Sequence, residues 1–255
     1  KNIDILESSL DPDSLFIGPG DIIDVDIVSS SIVSNYDLLI DNTGSIVIPI
    51  VGEINIDGLS LSKARRRIEQ NIRKHYDHAN ITILLKKSGL FKIKVIGPFN
   101  HPIYYNVTSF TTVYDLYLLF ISELKKSNIN INKVSSRHLQ LLRNNNRSNI
   151  DLLAFNFSED TKKNPLLRRG DILKVGYIEA QVSVWGGVNR PESYEFMPGE
   201  SIMDLINIAG GTTIHADEDN IDGTSFTNGE KITGMRITLT LLHSLMERRL
   251  LVSIL

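Results

Sequence analysis

The chain has 255 residues, 42% of them hydrophobic and 22% charged, the make-up of an ordinary globular protein with room for two or three small domains. A net charge of -3 excludes the strong basic excess of a typical nucleic-acid binder. Without cysteine it forms neither a disulfide nor a cysteine-ligated metal site, and no apolar run reaches the roughly 18 residues of a membrane-spanning helix.

Residues 1–13 read as a polar lead-in. The chain starts at Lys1 without an initiator methionine, which leaves a processed signal peptide or a lost anchor as an open expectation. Gly18-Pro19-Gly20-Asp21 then makes a tight turn, Pro19 fixing φ and Gly20 free to take positive φ. It opens a strand in which Ile23, Val25 and Ile27 share one face, with Asp24 and Asp26 on the other. Short strands follow through DNTGSIVIPIVGEINIDG. Ile46, Ile48 and Ile50 are expected on one face, and Gly44, Gly52 and Gly58 mark turns. Ser60 is a candidate N-cap for a helix whose apolar stripe is Leu61, Ala64, Ile68 and Ile72. Residues 81–85 return to a strand, so residues 14–88 form a small α+β domain.

From Leu90 onward the chain repeats itself at a spacing of 89, with no gap. Gly97 aligns with Gly186, Asn100 with Asn189, Pro102 with Pro191, Tyr105 with Tyr194, Asp115 with Asp204 and Leu116 with Leu205. Each copy reads as strand, turn, strand, helix and further strands, a β-grasp-like module, the first helix starting near Thr111 or Thr112. The first module, residues 89–178, closes with Gly170-Asp171-Ile172, an echo of Gly20-Asp21-Ile22. The second, residues 179–255, stops before its own Gly-Asp-Ile is due. It is therefore incomplete, or its end is replaced by the tail TLLHSLMERRLLVSIL, which has no clean pattern and reads as an interface segment lacking its partner. Tandem copies of a small module favour a scaffold or binding protein over an enzyme.

No chemistry-bearing constellation competes with that reading. Gly18-Pro19-Gly20 lacks the spacing of a phosphate loop and opens a strand, so it is a turn. His75 and His78 sit at a helix end with no third ligand in view. Asp217-Glu218-Asp219-Asn220 with Asp222-Gly223 misses the calcium-loop register, Asn228 standing where the closing Glu belongs. Lys63 to Arg67 fits a solvated helix face rather than a contact for an acidic glycan or a subunit. Trp185 is assigned to core or inter-module packing ahead of stacking on a sugar ring. No nucleophile with its base is found, no paired carboxylates suit glycan cleavage, and no cofactor or metal is called for.

Taken in order, these blocks resemble the bacterial polysaccharide biosynthesis/export family. The resemblance rests on Gly18-Pro19-Gly20-Asp21, Gly44-Ser45-Ile46-Val47-Ile48-Pro49, Val51-Gly52, Gly58-Leu59-Ser60 and Ala64. It continues in Val184-Trp185-Gly186-Gly187-Val188, Arg190-Pro191, Tyr194 and Ala209-Gly210-Gly211, with Gly97, Pro102, Gly170 and Asp171 at matching places of the first repeat. Phe120-Ile121-Ser122 departs from the Ala-Gly-Gly pattern, and Ile103 and Glu192 stand where glycine often follows proline. There is no lipobox cysteine, and the pore-lining C-terminal helix of some members is not evident in the tail. The resemblance implies an α+β chain: an export domain at 14–88 followed by two soluble-ligand-binding β-grasp (SLBB) repeats. It further implies a non-catalytic role in exporting capsular or exopolysaccharide at the periplasmic face of the outer membrane. The implied partners are the glycan, other copies of the chain in a homo-oligomeric ring, the inner-membrane co-polymerase and synthesis complex, and, for a longer protein, the outer membrane. The alternative is a β-grasp ligand-binding or adaptor protein with no transport role.

Overall fold

A computed structural model describes residues 11–29, 33–97, 101–157, 160–216, 221–227, 230–236 and 249–254. The acidic segment Asp217-Glu218-Asp219-Asn220, Asn100, Asn228 and residues 240–248 of the tail lie outside the described residues.

In the first domain, strands β1 (Ile22–Val28), β2 (Val33–Leu39), β3 (Ser45–Ile48) and β4 (Gly52–Asn55) precede helix α1 (Leu61–Arg73) and strand β5 (Asn80–Lys87). β1 is the central strand of a three-stranded sheet, antiparallel to both β2 and β5, and β3 and β4 form a separate hairpin. The alternation read in β1 holds: Ile23, Val25 and Ile27 are buried, and they share one core with Ile46, Ile48 and the α1 stripe Leu61, Ala64, Ile68 and Ile72. Each Ile, Val or Leu side chain among them contributes about 1.5–3 kcal/mol by leaving water. On the other face the Asn35 amide bridges Asp24 and Asp26 at 2.8 and 2.6 Å, and Lys86 pairs with Asp37. Ser60 caps α1 by accepting from the Lys63 N–H.

Ile50 departs from its expected place. It is 75% exposed and adopts φ 71° in the turn between β3 and β4, because the hairpin closes at Ile48↔Gly52 and leaves Pro49, Ile50 and Val51 to reverse the chain. Positive φ in a β-branched residue is costly, so the alternation ends at Pro49.

The first module comprises β6 (Phe91–Ile96), β7 (Ile103–Val107), α2 (Val113–Lys126), β8 (Val134–Arg143), β9 (Asn146–Ile150), α3 (Leu152–Asn156) and β10 (Ile172–Tyr177). The second comprises β11 (Gln181–Gly186), β12 (Glu192–Glu195), α4 (Ile202–Ile208), β13 (Ile221–Thr227), β14 (Glu230–Arg236) and β15 (Arg249–Ile254). Their sheets have the same order, β7-β6-β10-β8-β9 and β12-β11-β15-β13-β14. In each, the first strand pairs in parallel with the last, β6 with β10 and β11 with β15.

That topology decides how the second module ends. Its sheet has five strands in the first module's order, so the reading of an incomplete module gives way to the stated alternative: the tail supplies the missing strand. Arg249–Ile254 takes the position of Ile172–Tyr177, its partner being β11 of the same chain. What signals β10 in sequence is the Gly-Asp turn before it. No Gly-Asp pair precedes β15 in the sequence, and its place is set by parallel pairing with β11, a contact distant in sequence.

The repeat also explains its own departures. Thr112 and Asp115 cap α2 reciprocally, and Ser201 and Asp204 cap α4 in the same way, which is why an aspartate recurs at this offset. α4 stops after Ile208 because Gly210 and Gly211 take φ 87° and 80° there, donating back to Asn207 and Ile206. In the first module the corresponding residues are Ile121 and Ser122, which continue the helix to Lys126.

Candidate functional site

Three four-residue turns organise the places where the domains meet. Gly18-Pro19-Gly20-Asp21, Arg168-Arg169-Gly170-Asp171 and Met197-Pro198-Gly199-Glu200 are built alike. The glycine takes φ 90°, 85° and 90°, and the last N–H donates to the first carbonyl at 3.1, 3.1 and 3.2 Å. The acidic side chain accepts from the first N–H at 2.8, 2.8 and 2.9 Å. These are type II turns with the glycine where positive φ is required. In each, the carboxylate is then met by an arginine from another element.

The first two turns face each other across the junction of the first domain and the first module. Asp21 is wholly buried. Besides Gly18 it accepts from the Gly89 N–H at 2.6 Å and from Arg169 at 3.1 Å, and Arg169 also donates to the Pro19 carbonyl at 2.8 Å. The backbones approach so closely that a Cβ on Gly89 would lie 2.5 Å from the Gly20 carbonyl carbon. Arg168 stands over the Phe16 ring at 3.4 Å, and Arg169 lies 4.8 Å from the centre of Phe91. Asp171 is held in turn by Arg143 of β8 through two hydrogen bonds of 2.8 and 2.6 Å. The Gly-Asp echo noted in the sequence is thus two halves of one contact.

The second junction has a buried cation at its centre. The Arg137 side chain on β8 is 3% exposed and donates to Asp151 at 3.0 and 2.8 Å. Across the junction it donates to the Glu195 carbonyl at 2.8 Å and to both carboxylate oxygens of Glu200. Burial works against its charge, but the Glu200 and Asp151 hydrogen bonds outweigh that and hold it above the usual arginine range. Beside it, Glu195 accepts from the Ser135 hydroxyl and, at 3.1 Å, from the Ser136 N–H, with His138 Nδ1 at 3.7 Å. Burial raises the Glu195 pKa, and these partners only partly offset it. Arg190 adds a contact by lying 4.2 Å from the centre of Phe157 in the first module.

The remaining motif residues separate into two places. Gly186, Pro191, Gly210 and Gly211 come together: Asn189 and Arg190 donate their N–H groups to the Gly211 and Ala209 carbonyls, and the Asn189 amide reaches the Gly210 carbonyl at 2.9 Å. Pro49 and Gly52 stand apart at the β3–β4 hairpin, and Gly97 and Pro102 lie between β6 and β7. His75 lies exposed just past α1, Nδ1 3.4 Å from the Asn71 carbonyl, and no cluster of three metal-ligating side chains exists among the described residues. The packing role read for Trp185 is corrected. Val182 and Val184 fill the core, so alternation turns Trp185 to the opposite face, where it is 48% exposed near the hydrogen-bonded hydroxyls of Ser183 and Ser193. Sequence reading missed Arg137, Glu195 and Glu200; the available signal was the likeness of Met197-Pro198-Gly199-Glu200 to Gly18-Pro19-Gly20-Asp21.

No helix among the described residues is long and apolar enough to cross a membrane. Residues 10–86 match the family model described as polysaccharide biosynthesis/export protein, and residues 181–236 match that of the SLBB domain. A search of curated proteins finds no match. The two matches fall on the domain with the three-stranded sheet and on the second module, as the motifs imply, and together they support a protein of the polysaccharide export family.

Proposed function

We propose that the chain is a non-catalytic part of a capsular or exopolysaccharide export machine, acting in the periplasm or at the periplasmic face of the outer membrane. Several copies assemble head-to-tail into a ring that conducts the glycan. The observation that carries this reading is the succession of buried ionic junctions. They join the export domain to the first module and the first module to the second, the arrangement needed for stacked layers rather than beads on a linker. In this arrangement the export domain faces the inner-membrane co-polymerase and synthesis complex. Exposed apolar side chains at Val47 and Ile50 on the hairpin suit a contact between copies, and Trp185 offers an aromatic face to a sugar ring.

Deletion of the gene in the source organism, with complementation by the full-length gene, tests the reading. The expected result is loss of extracellular polysaccharide and its restoration. Unchanged surface glycan in a strain without a redundant copy overturns it. Native mass measurement of the full-length protein tests the ring separately: a single closed oligomer is expected, and a persistent monomer with tight small-ligand binding favours the adaptor alternative.

A further inference from the structure

The sheets on either side of the first junction each turn one face away from their core, and those two faces carry opposite charge. In the first module the core takes Phe91, Ile93, Val95, Leu139, Leu141 and Leu173. Strand register gathers a different set on the other face. Tyr104, Lys94, Ile172, Leu142 and Arg147 stand in one row across the sheet, with Lys92 beside Asn106 and Lys174 beside Gln140. Lys92, Tyr104, Arg147 and Lys174 are exposed. Strands β6 to β10 contain no aspartate or glutamate at all. Lys92, Lys94, Arg147 and Lys174 have no anionic partner among the described residues. In a chain of net charge -3, this face is a concentrated positive patch.

The outward face of the first domain is its counterpart. Asp24 and Asp26 of β1 lie opposite Asp37 and Asn35 of β2. Lys86 pairs with Asp37 at 2.7 Å and lies 3.9 Å from Asp24, which offsets one of the three carboxylates, while Lys87 stands at the far end of β5. The Asn35 amide bridges Asp24 and Asp26 without bringing charge. Around these carboxylates Val28, Val33, Leu39 and Leu84 are exposed, with Val28 paired to Val33. Covering such side chains is favourable. Both faces stay open within one chain, so neither neutralises the other there, and each is free to meet its opposite on another copy.

We propose that the acidic sheet face of the first domain in one copy stacks on the basic sheet face of the first module in the next. Stacked sheets lie about 10 Å apart, a gap that lysine and arginine side chains reach across to Asp24, Asp26 and Asp37. Ile172 and Leu142 on one face then meet Leu84 on the other. The contact uses two different patches, so every copy keeps one of each kind free, and a chain of such contacts either closes into a ring or runs on as a filament. The proposal rests on the head-to-tail reading given above and names the surfaces that make it. Opposite charge fixes which faces meet and in what register more than it adds to affinity.

Sedimentation velocity of the purified chain over a concentration series tests the contact, with K92E/K174E and D26K/D37K as charge-reversed variants. The parent should self-associate, and less so as salt rises from about 0.01 to about 1 M, over which the screening length falls from roughly 30 to 3 Å. Either variant alone should associate about tenfold more weakly than the parent, because it sets like charge against like. Mixed in equal amounts the two should associate again, since the acidic face of the first and the basic face of the second are intact. That recovery also shows that both variants are folded. The proposal falls if the parent stays monomeric, if either variant alone associates as the parent does, or if the mixture does not recover. Capture of a monomeric parent by phosphatidylglycerol vesicles, lost in K92E/K174E, would overturn it by assigning the basic face to an anionic lipid surface. If the full-length variants still give the parent's closed oligomer, only this contact is removed. A monomeric full-length parent removes the ring reading itself.

Discussion

The two junctions solve the same problem with opposite charges at the centre. Between the export domain and the first module the buried ion is an anion: Asp21 is wholly buried, and its partner Arg169 stays a quarter exposed. Between the two modules it is a cation: Arg137 is 3% exposed, and its partners Asp151 and Glu200 are 28% and 15% exposed. A buried carboxylate can be satisfied by backbone N–H groups, which every turn supplies. A buried guanidinium has many donors and no acceptor capacity, so it depends on carboxylates and carbonyls placed around it. The first junction should therefore tolerate loss of its arginine better than the second.

The largest expected effect follows from that difference. Arg137→Ala takes away the charged partner of Glu200, which keeps the Met197 N–H, and leaves the Glu195 carbonyl without its donor, and breaking such a buried pair costs about 3–5 kcal/mol. Urea unfolding monitored by Trp185, the single tryptophan and a reporter on the second module, should show a transition at much lower denaturant. A midpoint close to the parent's would remove Arg137 from the centre of the junction.

Next comes Asp21→Ala, which orphans the Gly18 and Gly89 N–H groups and the Arg169 contact. Hydrogen bonds to a charged acceptor are worth about 1.5–3 kcal/mol, so thermal unfolding of the export domain should fall by several degrees. Arg169→Ala should do less, about 1 kcal/mol, because Asp21 keeps both backbone donors and the loss is one partly exposed ion pair plus contact with Phe91. If Arg169→Ala proved as damaging as Arg137→Ala, the contrast between the junctions would be wrong.

Much of this architecture was legible in local pattern, and what was not depended on distant pairing. The stripe Leu61, Ala64, Ile68 and Ile72, the face of β1, and the helix start near Thr111 or Thr112 follow from periodicity and capping within a few residues. The Gly-Asp echo was legible as similarity but not as contact, since nothing local states that Arg169 reaches Pro19 and Asp21, 150 and 148 residues away. β15 was hidden because its place is set by β11. Ile50 was misplaced because alternation was extended through Pro49 into a turn. Arg137 looks like any strand-edge arginine until Glu195 and Glu200 are brought against it from the second module.

The smallest expected effect distinguishes the second junction by pH. Burial raises Glu195 above its ordinary value of 4.5, against the opposing pull of Ser135, the Ser136 N–H, His138 and Arg137. A carboxyl group raised in the folded state contributes stability that is fully present below its unfolded value and is lost as pH rises through the folded one. Glu195→Gln keeps an acceptor for Ser135 and Ser136 but has no proton to lose. The variant's stability relative to the parent should therefore stay level below pH 4.5 and climb as pH rises above it. Urea midpoints of both proteins across that range make the measurement, and their difference cancels titrations common to both. His138 faces Glu195, so the pair should be compared again in a His138→Gln background. A difference that stays constant with pH in both backgrounds would mean that Glu195 is ionised in the folded protein as readily as in the unfolded chain. Arg137 would then be neutralising three carboxylates at once.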